Sequence, residues 1–442
     1  MTLHGATAFP DDVGQQVVAW ITDRLGGAPL GRAATAAELR PLFADNITEH
    51  GVGAEVAWER FVDRVARNTV GLDSERFLAF IPMAPSAAAV WMDAAVGAAS
   101  FSAESWLEAA GAVAAENEVL RWLAGLIGMP PSAGGCFMSG GSIGNLSALA
   151  VARDTAPPTR RAVAVTDTVH ASVHNALHLL GLNDVVVVPT SGVCTAADLA
   201  AAVGDRVDIG IVVASAGSTN AGLVDDLAGL ADWCERSGAW LHVDAAYGGA
   251  ALLVPERRAL FAGLERANSV IVDPHKWLFA PFDCCALVYR EPMQARRAHT
   301  QHAEYLDALH DAHQPEWNPS DFAHHLSRRA RGLPFWFSHA TYGTRAYGEA
   351  VETSVRVAHE GAELIRSSQH LELVSEPELS VLLFRRTGFT PVDYEAWSAR
   401  MLADGEAFVV PTTWKGETVL RLCLVNPRTT LDDLRLIFDS LI

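Results

Sequence analysis

Between residues 11 and 70, apolar side chains recur at helical spacing, with Val13, Val17, Trp20, Ile21 and Leu25 on one face. A Gly/Pro-rich break over 26–31 interrupts the pattern, and helical spacing then resumes through Trp58, Phe61, Val62 and Val65. A helical stretch detached from the rest of the chain reads as an arm exchanged in a dimer. From about residue 105 the pattern becomes an alternation of short apolar runs and amphipathic segments. A helix is predicted over 116–127, then a Gly-rich turn over 134–144 and a helix through Leu149. Apolar runs at 162–166, 185–188, 209–214, 240–243, 270–272 and 286–289 predict six strands. Such alternation implies an α/β fold with a mainly parallel, helix-covered sheet. A long helix over 347–366 and strands at 371–374, 379–385 and 418–424 predict a small α+β unit. The expected division is a helical dimerisation segment 1–75, a large domain 76–345 and a small C-terminal domain 346–442.

Half of the 442 residues are apolar and 12 are tryptophan, enough to bury a large core. A formal net charge of −19 argues against nucleic acid or an anionic membrane surface as partner. Cysteines at 136, 194, 234, 284, 285 and 423 form no CxxC pair and no metal-ligating pattern, so they read as thiols in a reducing compartment. Residues 1–12 lack the basic and apolar regions of a secretory signal. The Ala-rich stretch 84–99 contains Pro, Trp and Asp and does not make a membrane span. A cytoplasmic protein with no membrane segment is expected.

Only two residues of the chain are lysines, and one of them, Lys276, stands in Asp273-Pro274-His275-Lys276-Trp277. Arginine keeps its proton at ordinary pH and cannot serve as an amine nucleophile, so a retained lysine beside His, Pro and Trp points to a Schiff base with an aldehyde cofactor. Arginine-rich composition with one surviving lysine is the alternative reading. The other lysine, Lys415, lies in Trp414-Lys415-Gly416 and carries no assigned role. Thirty-two positions before Lys276, the run Trp240-Leu241-His242-Val243-Asp244-Ala245-Ala246 reads as a buried strand delivering a carboxylate at its C-terminal end. Pyridoxal phosphate needs this pair: a lysine for its aldehyde and an acid to keep its pyridine nitrogen protonated.

Further candidates fall at predicted strand ends and helix starts. The loop Ser139-Gly140-Gly141-Ser142 opens a helix, where backbone N–H groups and the Ser142 hydroxyl can hold a phosphate. It lacks the Gly-Lys-Ser/Thr of a nucleotide P-loop, and a Gly/Ser turn alone is usually just a turn. His170 follows the strand at 162–166, where its imidazole can stack on a pyridine ring opposite a small residue such as Ala246. A helix-capping histidine is the plainer reading, as the chain has 16. Thr219 follows the strand at 209–214 and so also points at the crevice.

These motifs in this order resemble the group II pyridoxal-phosphate decarboxylases, the aromatic-L-amino-acid branch in particular. The resemblance runs from about Arg76 to Arg331 and more weakly to both ends. It implies a fold-type I pyridoxal-phosphate enzyme that acts as a homodimer with interfacial active sites. It further implies Lys276 as the Schiff-base lysine, Asp244 as the pyridine-nitrogen partner and His170 as the stacking histidine. Gly141 and Ser142 match phosphate contacts, Thr219 the threonine below the ring, and His275 the histidine beside the lysine. His302-Ala303-Glu304-Tyr305-Leu306 is similar to the family's mobile catalytic loop, which makes Tyr305 the expected proton donor to the substrate carbon after CO2 leaves. Phe80, Ile81 and Pro82 resemble the substrate-pocket wall, favouring an apolar or aromatic side chain.

Three positions depart from that branch. Asp273 replaces an asparagine near the phosphate, an added anion that must be offset by a cation or hydrogen bond, or point away. Glu104 replaces an apolar ring: in the pocket it would ask for a substrate bearing a donor or positive charge, and outside it would be simply solvated. Ser327 replaces a glycine of some indole-preferring relatives, a lean towards phenolic substrates. The leading expectation is decarboxylation of an L-amino acid, aromatic favoured, to the amine. Its rivals are decarboxylation coupled to oxidative deamination, giving an aldehyde, and a non-catalytic scaffold on a decayed enzyme fold. Tyr305 counts against the first rival, and the joint presence of Asp244, His170 and Lys276 against the second.

Overall fold

The apolar runs at 162–166, 209–215 and 269–272 become strands buried on both faces, because helices cover each side of the sheet, whereas the all-valine run 185–188 lies at its edge and leaves Val187 exposed. The computed structural model describes residues 8–304 and 317–442. Seven strands make the large sheet: β1 (Gly134–Met138), β2 (Ala162–Thr166), β3 (Val185–Val188), β4 (Ile209–Ser215), β5 (Trp240–Asp244), β6 (Ser269–Val272) and β7 (Cys285–Tyr289). Their order is β1-β7-β6-β5-β4-β2-β3. Strands β2 to β6 run parallel, whereas β7 is antiparallel to both neighbours. Strand β1 therefore points the same way as β6, and the loops after β1, β2, β4, β5 and β6 open on one edge. That carboxyl edge is where open α/β sheets bind ligands.

One expectation needs correction here. The Gly-rich turn over 134–144 is mostly not a turn: residues 134–138 are strand β1, and the helix Gly141–Thr155 follows after a two-residue break. Gly135 serves close approach, since a Cβ there would lie 1.8 Å from the Leu287 carbonyl oxygen on β7. Towards the N-terminus, helix Asp11–Gly26 is regular, a short helix Ala36–Leu39 follows, and the resumed spacing through Trp58, Phe61, Val62 and Val65 is helical, α over Ala54–Arg60 and π over Phe61–Val65. Trp20 packs edge-on against Trp58 and Phe61, at 6.3 and 5.5 Å between ring centroids, and holds these pieces together.

The C-terminal strands β8 (Leu371–Ser375), β9 (Val381–Arg386), β10 (Thr412–Trp414) and β11 (Glu417–Cys423) form an antiparallel sheet in the order β10-β11-β9-β8. Alternate residues of β9 and β11 face opposite ways. Leu382, Phe384, Leu420 and Leu422 enter a core with Tyr394, Met401 and Ile437, while Val381 and Cys423 pack on the large sheet's core. The three-residue β10 is too short to leave a period in the sequence. The long helix spans Leu333–Ser367 rather than 347–366, and it breaks at Gly343, whose φ of 76° is open to glycine. Residues 77 and 78, assigned by pattern to the large domain, bond instead to the small unit: Leu78 N–H donates to Phe408 O (2.9 Å) and accepts at its own carbonyl from Cys423 N–H (2.9 Å).

One buried ion pair anchors the segment that returns from the carboxyl edge. Arg328 meets Glu116 through two hydrogen bonds of 2.7 and 2.9 Å, both side chains being 2% exposed. Arg328 also donates to Ala103 O, and Glu116 accepts from Gly332 N–H, so both charges keep further partners. No helix among the described residues is long and apolar enough to cross a membrane.

Candidate active site

At the carboxyl edge the loops enclose a cavity of about 310 Å³. Sequence reasoning placed Phe80, Ile81, Gly141, Ser142, His170, Thr219, Asp244, Ala246, His275 and Lys276 in one site, and all ten line this cavity. Pro82 is buried behind its neighbours and does not line it. Glu104 does not line it either: its carboxylate accepts from Ser102 Oγ at 3.3 Å and its carbonyl from Ser320 N–H. Tyr305 lies outside the described residues.

Lys276 Nζ stands 3.0 Å from Asp273 Oδ2. Burial opposes the charge on Lys276, but Asp273 and then Asp244 outweigh it and hold the amine above its ordinary pKa. Burial likewise opposes the Asp273 charge, and Lys276 with His275 overcomes it, so this carboxyl sits below its ordinary range. The departure at Asp273 is thus offset by a cation and the side chain faces the cavity. His275 is pushed down chiefly by burial. Its Nδ1 lies 2.7 Å from the Cys284 carbonyl and 3.1 Å from the Cys284 amide, and its ring is 4.7 Å from that of Phe282.

Asp244 ends β5 with both oxygens occupied. Oδ1 accepts from Ala246 N–H (3.1 Å) and Oδ2 from Asn145 Nδ2 (2.9 Å). Two neutral donors hold the carboxylate in place without cancelling its charge. His170 caps the helix Ala171–Leu179, with Nδ1 accepting from Ser172 N–H at 3.2 Å and lying 2.8 Å from Ser172 Oγ. The capping role that a lone histidine would suggest is therefore present, and the same imidazole still lines the cavity.

The helix Gly141–Thr155 presents its N-terminus to the cavity, and no side chain caps it. Its first N–H groups are free for an anion. A Cβ on Gly141 would fall 3.0 Å from Asp273 Oδ2, so glycine lets the turn sit directly over that carboxylate. An uncapped helix start, a fixed carboxylate and a primary amine around one cavity fit a phosphorylated pyridine aldehyde: Gly141 and Ser142 would hold its phosphate, Asp244 its ring nitrogen and Lys276 its aldehyde.

Sequence reasoning missed Ser172, Ser218 and Phe282, which also line the cavity. Ser172 stands two positions after His170, a spacing that signals a cap. Phe282 gave no signal, because only the fold after Lys276 brings it back to the mouth. Tyr247, inside the strand-end motif, lines the cavity too, but its hydroxyl is tied to Ser380 Oγ and to Ser380 N–H (2.9 Å).

The family profile described as the pyridoxal-dependent decarboxylase conserved domain matches residues 62–387. The chain is 29% identical over 446 residues to aromatic-L-amino-acid decarboxylase of Bacillus atrophaeus, with 96% of this chain and 92% of that protein covered. It is 30% identical over 363 residues to L-2,4-diaminobutyrate decarboxylase of Rhizobium meliloti, with 78% and 73% covered. The crystal structure of Oryza sativa TDC with PLP and tryptamine superposes with a TM-score of 0.92 at 25% identity, covering 100% of this chain and 98% of that one.

Proposed function

We propose that this chain, which belongs to the pyridoxal-dependent decarboxylase family, removes the α-carboxyl group of an aromatic L-amino acid and releases the amine. Its membership makes it a pyridoxal-phosphate-dependent amino-acid decarboxylase; the aromatic substrate and the residue roles are our reading. When bound, pyridoxal phosphate supplies an electron-poor ring that accepts the electron pair left as CO2 departs. Lys276 would hold the cofactor's aldehyde through its primary amine. Asp244 keeps a proton on the ring nitrogen, and the N–H groups at Gly141 and Ser142 bind the phosphate. His170, at the cavity wall, would lie against the ring. Tyr305 returns a proton to the substrate's Cα; Tyr247 is unsuited to this, since its hydroxyl is committed to Ser380.

The observation that carries the substrate class is the wall of the cavity. Phe80, Ile81 and Phe282 line it, and among the described residues no arginine does. Glutamate or another acidic side chain would find no guanidinium there to pair with, and would bear the desolvation cost of its charge. An aromatic ring would find apolar and aromatic partners instead. Incubation with pyridoxal phosphate and separate amino acids, following CO2, amine and hydrogen peroxide, tests this. Phenylalanine, tyrosine, DOPA or tryptophan should exceed glutamate by about 100-fold or more in kcat/KM, given about 1–3 kcal/mol for each misplaced polar group. Faster turnover of L-2,4-diaminobutyrate would sink the aromatic reading. Aldehyde with stoichiometric peroxide would replace amine release with oxidative deamination.

We further infer a homodimer whose second copy covers this site, with residues 1–75 as the dimerisation arm of a three-part chain. Phe80 and Phe282 are 61% and 64% exposed beside the cavity, uncovered by their own chain. Sedimentation should give a dimer at micromolar concentration, and Phe282→Glu should shift it towards monomer. A monomer that retains full activity would remove the second copy from the site.

A further inference from the structure

Behind Asp244 lies a set of polar side chains that neither the cavity nor an apolar core accounts for. On β5 the side chains of Trp240, His242 and Asp244 share one face, two residues apart. Their neighbours on that face include Ile211, Val213 and Ile271, all buried and apolar. His242, Asn145 and Ser269 are each fully buried among them. Polar groups so placed are costly unless every donor and acceptor is matched.

Here they are matched, and in one direction. Trp240 Nε1–H donates to Ser269 Oγ (2.9 Å), and Ser269 Oγ lies 2.8 Å from His242 Nδ1. His242 Nε2 lies 2.8 Å from Asn145 Oδ1. Asn145 Nδ2 donates to Asp244 Oδ2 (2.9 Å) and to Ser172 Oγ (3.0 Å). Ser172 Oγ in turn meets His170 Nδ1 at 2.8 Å. The indole can only donate, and the Asp244 carboxylate only accepts. Between those fixed ends, Ser269 O–H must donate to His242 Nδ1, and His242 must carry its proton on Nε2. Asn145 then has both amide hydrogens directed at the site, and Ser172 O–H donates to His170 Nδ1, leaving the His170 proton on Nε2. Burial pushes His242 down to about 4, consistent with a neutral ring in this relay.

We propose that His242, Asn145 and Ser172 are positioning residues that set Asp244 and His170 together, through the two hydrogen atoms of a single amide. The carboxylate that meets the cofactor's ring nitrogen and the imidazole that lies against its face are thereby held in one mutual geometry. This rests on the roles given to Asp244 and His170 above. His242 touches neither the cavity nor Asp244, yet its Nε2–H holds the far end of the Asn145 amide in the orientation that the Asp244 carboxylate requires.

The test uses the holoenzyme with His242→Phe, His242→Gln and Ser172→Ala. His242→Phe removes the donor to Asn145 Oδ1, leaving that buried oxygen unmatched and the amide held at its NH2 end only. It should lower kcat about 10- to 100-fold, the worth of a hydrogen bond to a charged group, and alter the bound cofactor's visible absorbance. His242→Gln, whose amide can still donate to Asn145 Oδ1, should recover most of that loss and the parent spectrum. A merely space-filling role predicts no such rescue. Ser172→Ala, at the cavity wall, decides the matter should His242→Phe fail to fold: it cuts only the His170 branch and should lower kcat about tenfold with cofactor affinity unchanged. Variants within twofold of the parent in kcat and unchanged in spectrum would overturn the relay while leaving the site reading intact. Failure of the parent chain to bind pyridoxal phosphate would overturn both.

Discussion

Lys276→Ala should reduce decarboxylation by about 1000-fold or more, because among the described residues no other primary amine lines the cavity and a guanidinium or hydroxyl cannot replace it. Lys276→Arg should do no better, although it keeps the charge. The loss separates into chemistry and stability. Lys276 also neutralises Asp273, which is 2% exposed, and removing one partner of a buried pair costs up to about 3–5 kcal/mol. Adding Asp273→Asn to Lys276→Ala should therefore restore the urea midpoint without restoring CO2 release. Retention of more than a tenth of the parent kcat by Lys276→Ala would remove Lys276 from the mechanism. Recovery of activity in the double variant would recast its role as purely electrostatic.

Asp244→Asn should lower kcat by about 100- to 10,000-fold, the span associated with losing a required protonation state in the transition state. Size is conserved, so the effect is electronic and directional. A neutral amide cannot hold a proton on the cofactor's ring nitrogen. It also has one accepting oxygen for two donors, Asn145 Nδ2–H and Ala246 N–H, so one donor must face an NH2 group. Asp244→Glu keeps the charge but moves it by a methylene, and should retain more activity than Asp244→Asn. The reverse order in a CO2-release assay, with both variants loaded with pyridoxal phosphate, would show that charge at this position is not what the reaction uses.

Much of the site was legible in the chain because its parts are local. An apolar run ending in Asp-Ala-Ala, a Gly/Ser loop opening a helix and a lysine flanked by His and Trp each sit within a few residues, and the strand-end positions follow from alternation alone. The parallel strands β2, β4 and β6 were readable for the same reason: strands buried on both faces must be largely apolar. Where function rests on distant residues, the reading was incomplete. For Glu104 the chain left two places open, in the pocket or in solvent, and in the fold it bonds to Ser102 and Ser320 beside the segment that Arg328 anchors. Gly134 and Gly135 look like turn residues, and only the approach of the Trp317 ring to the first and of the Leu287 carbonyl to the second explains why a strand needs them.

By itself, then, the sequence determined the order of elements, the amine, the carboxylate and the cofactor they require, since each depends on residue type and short-range period. Tertiary structure alone decided which side chains share a space. It turned Asp273 from an unexplained anion into the partner of Lys276, brought Phe282 to the cavity mouth, and joined Asn145, His242 and Ser172 behind the site. Those relations depend on distances between strands and helices many residues apart, and no local pattern encodes a distance of that kind.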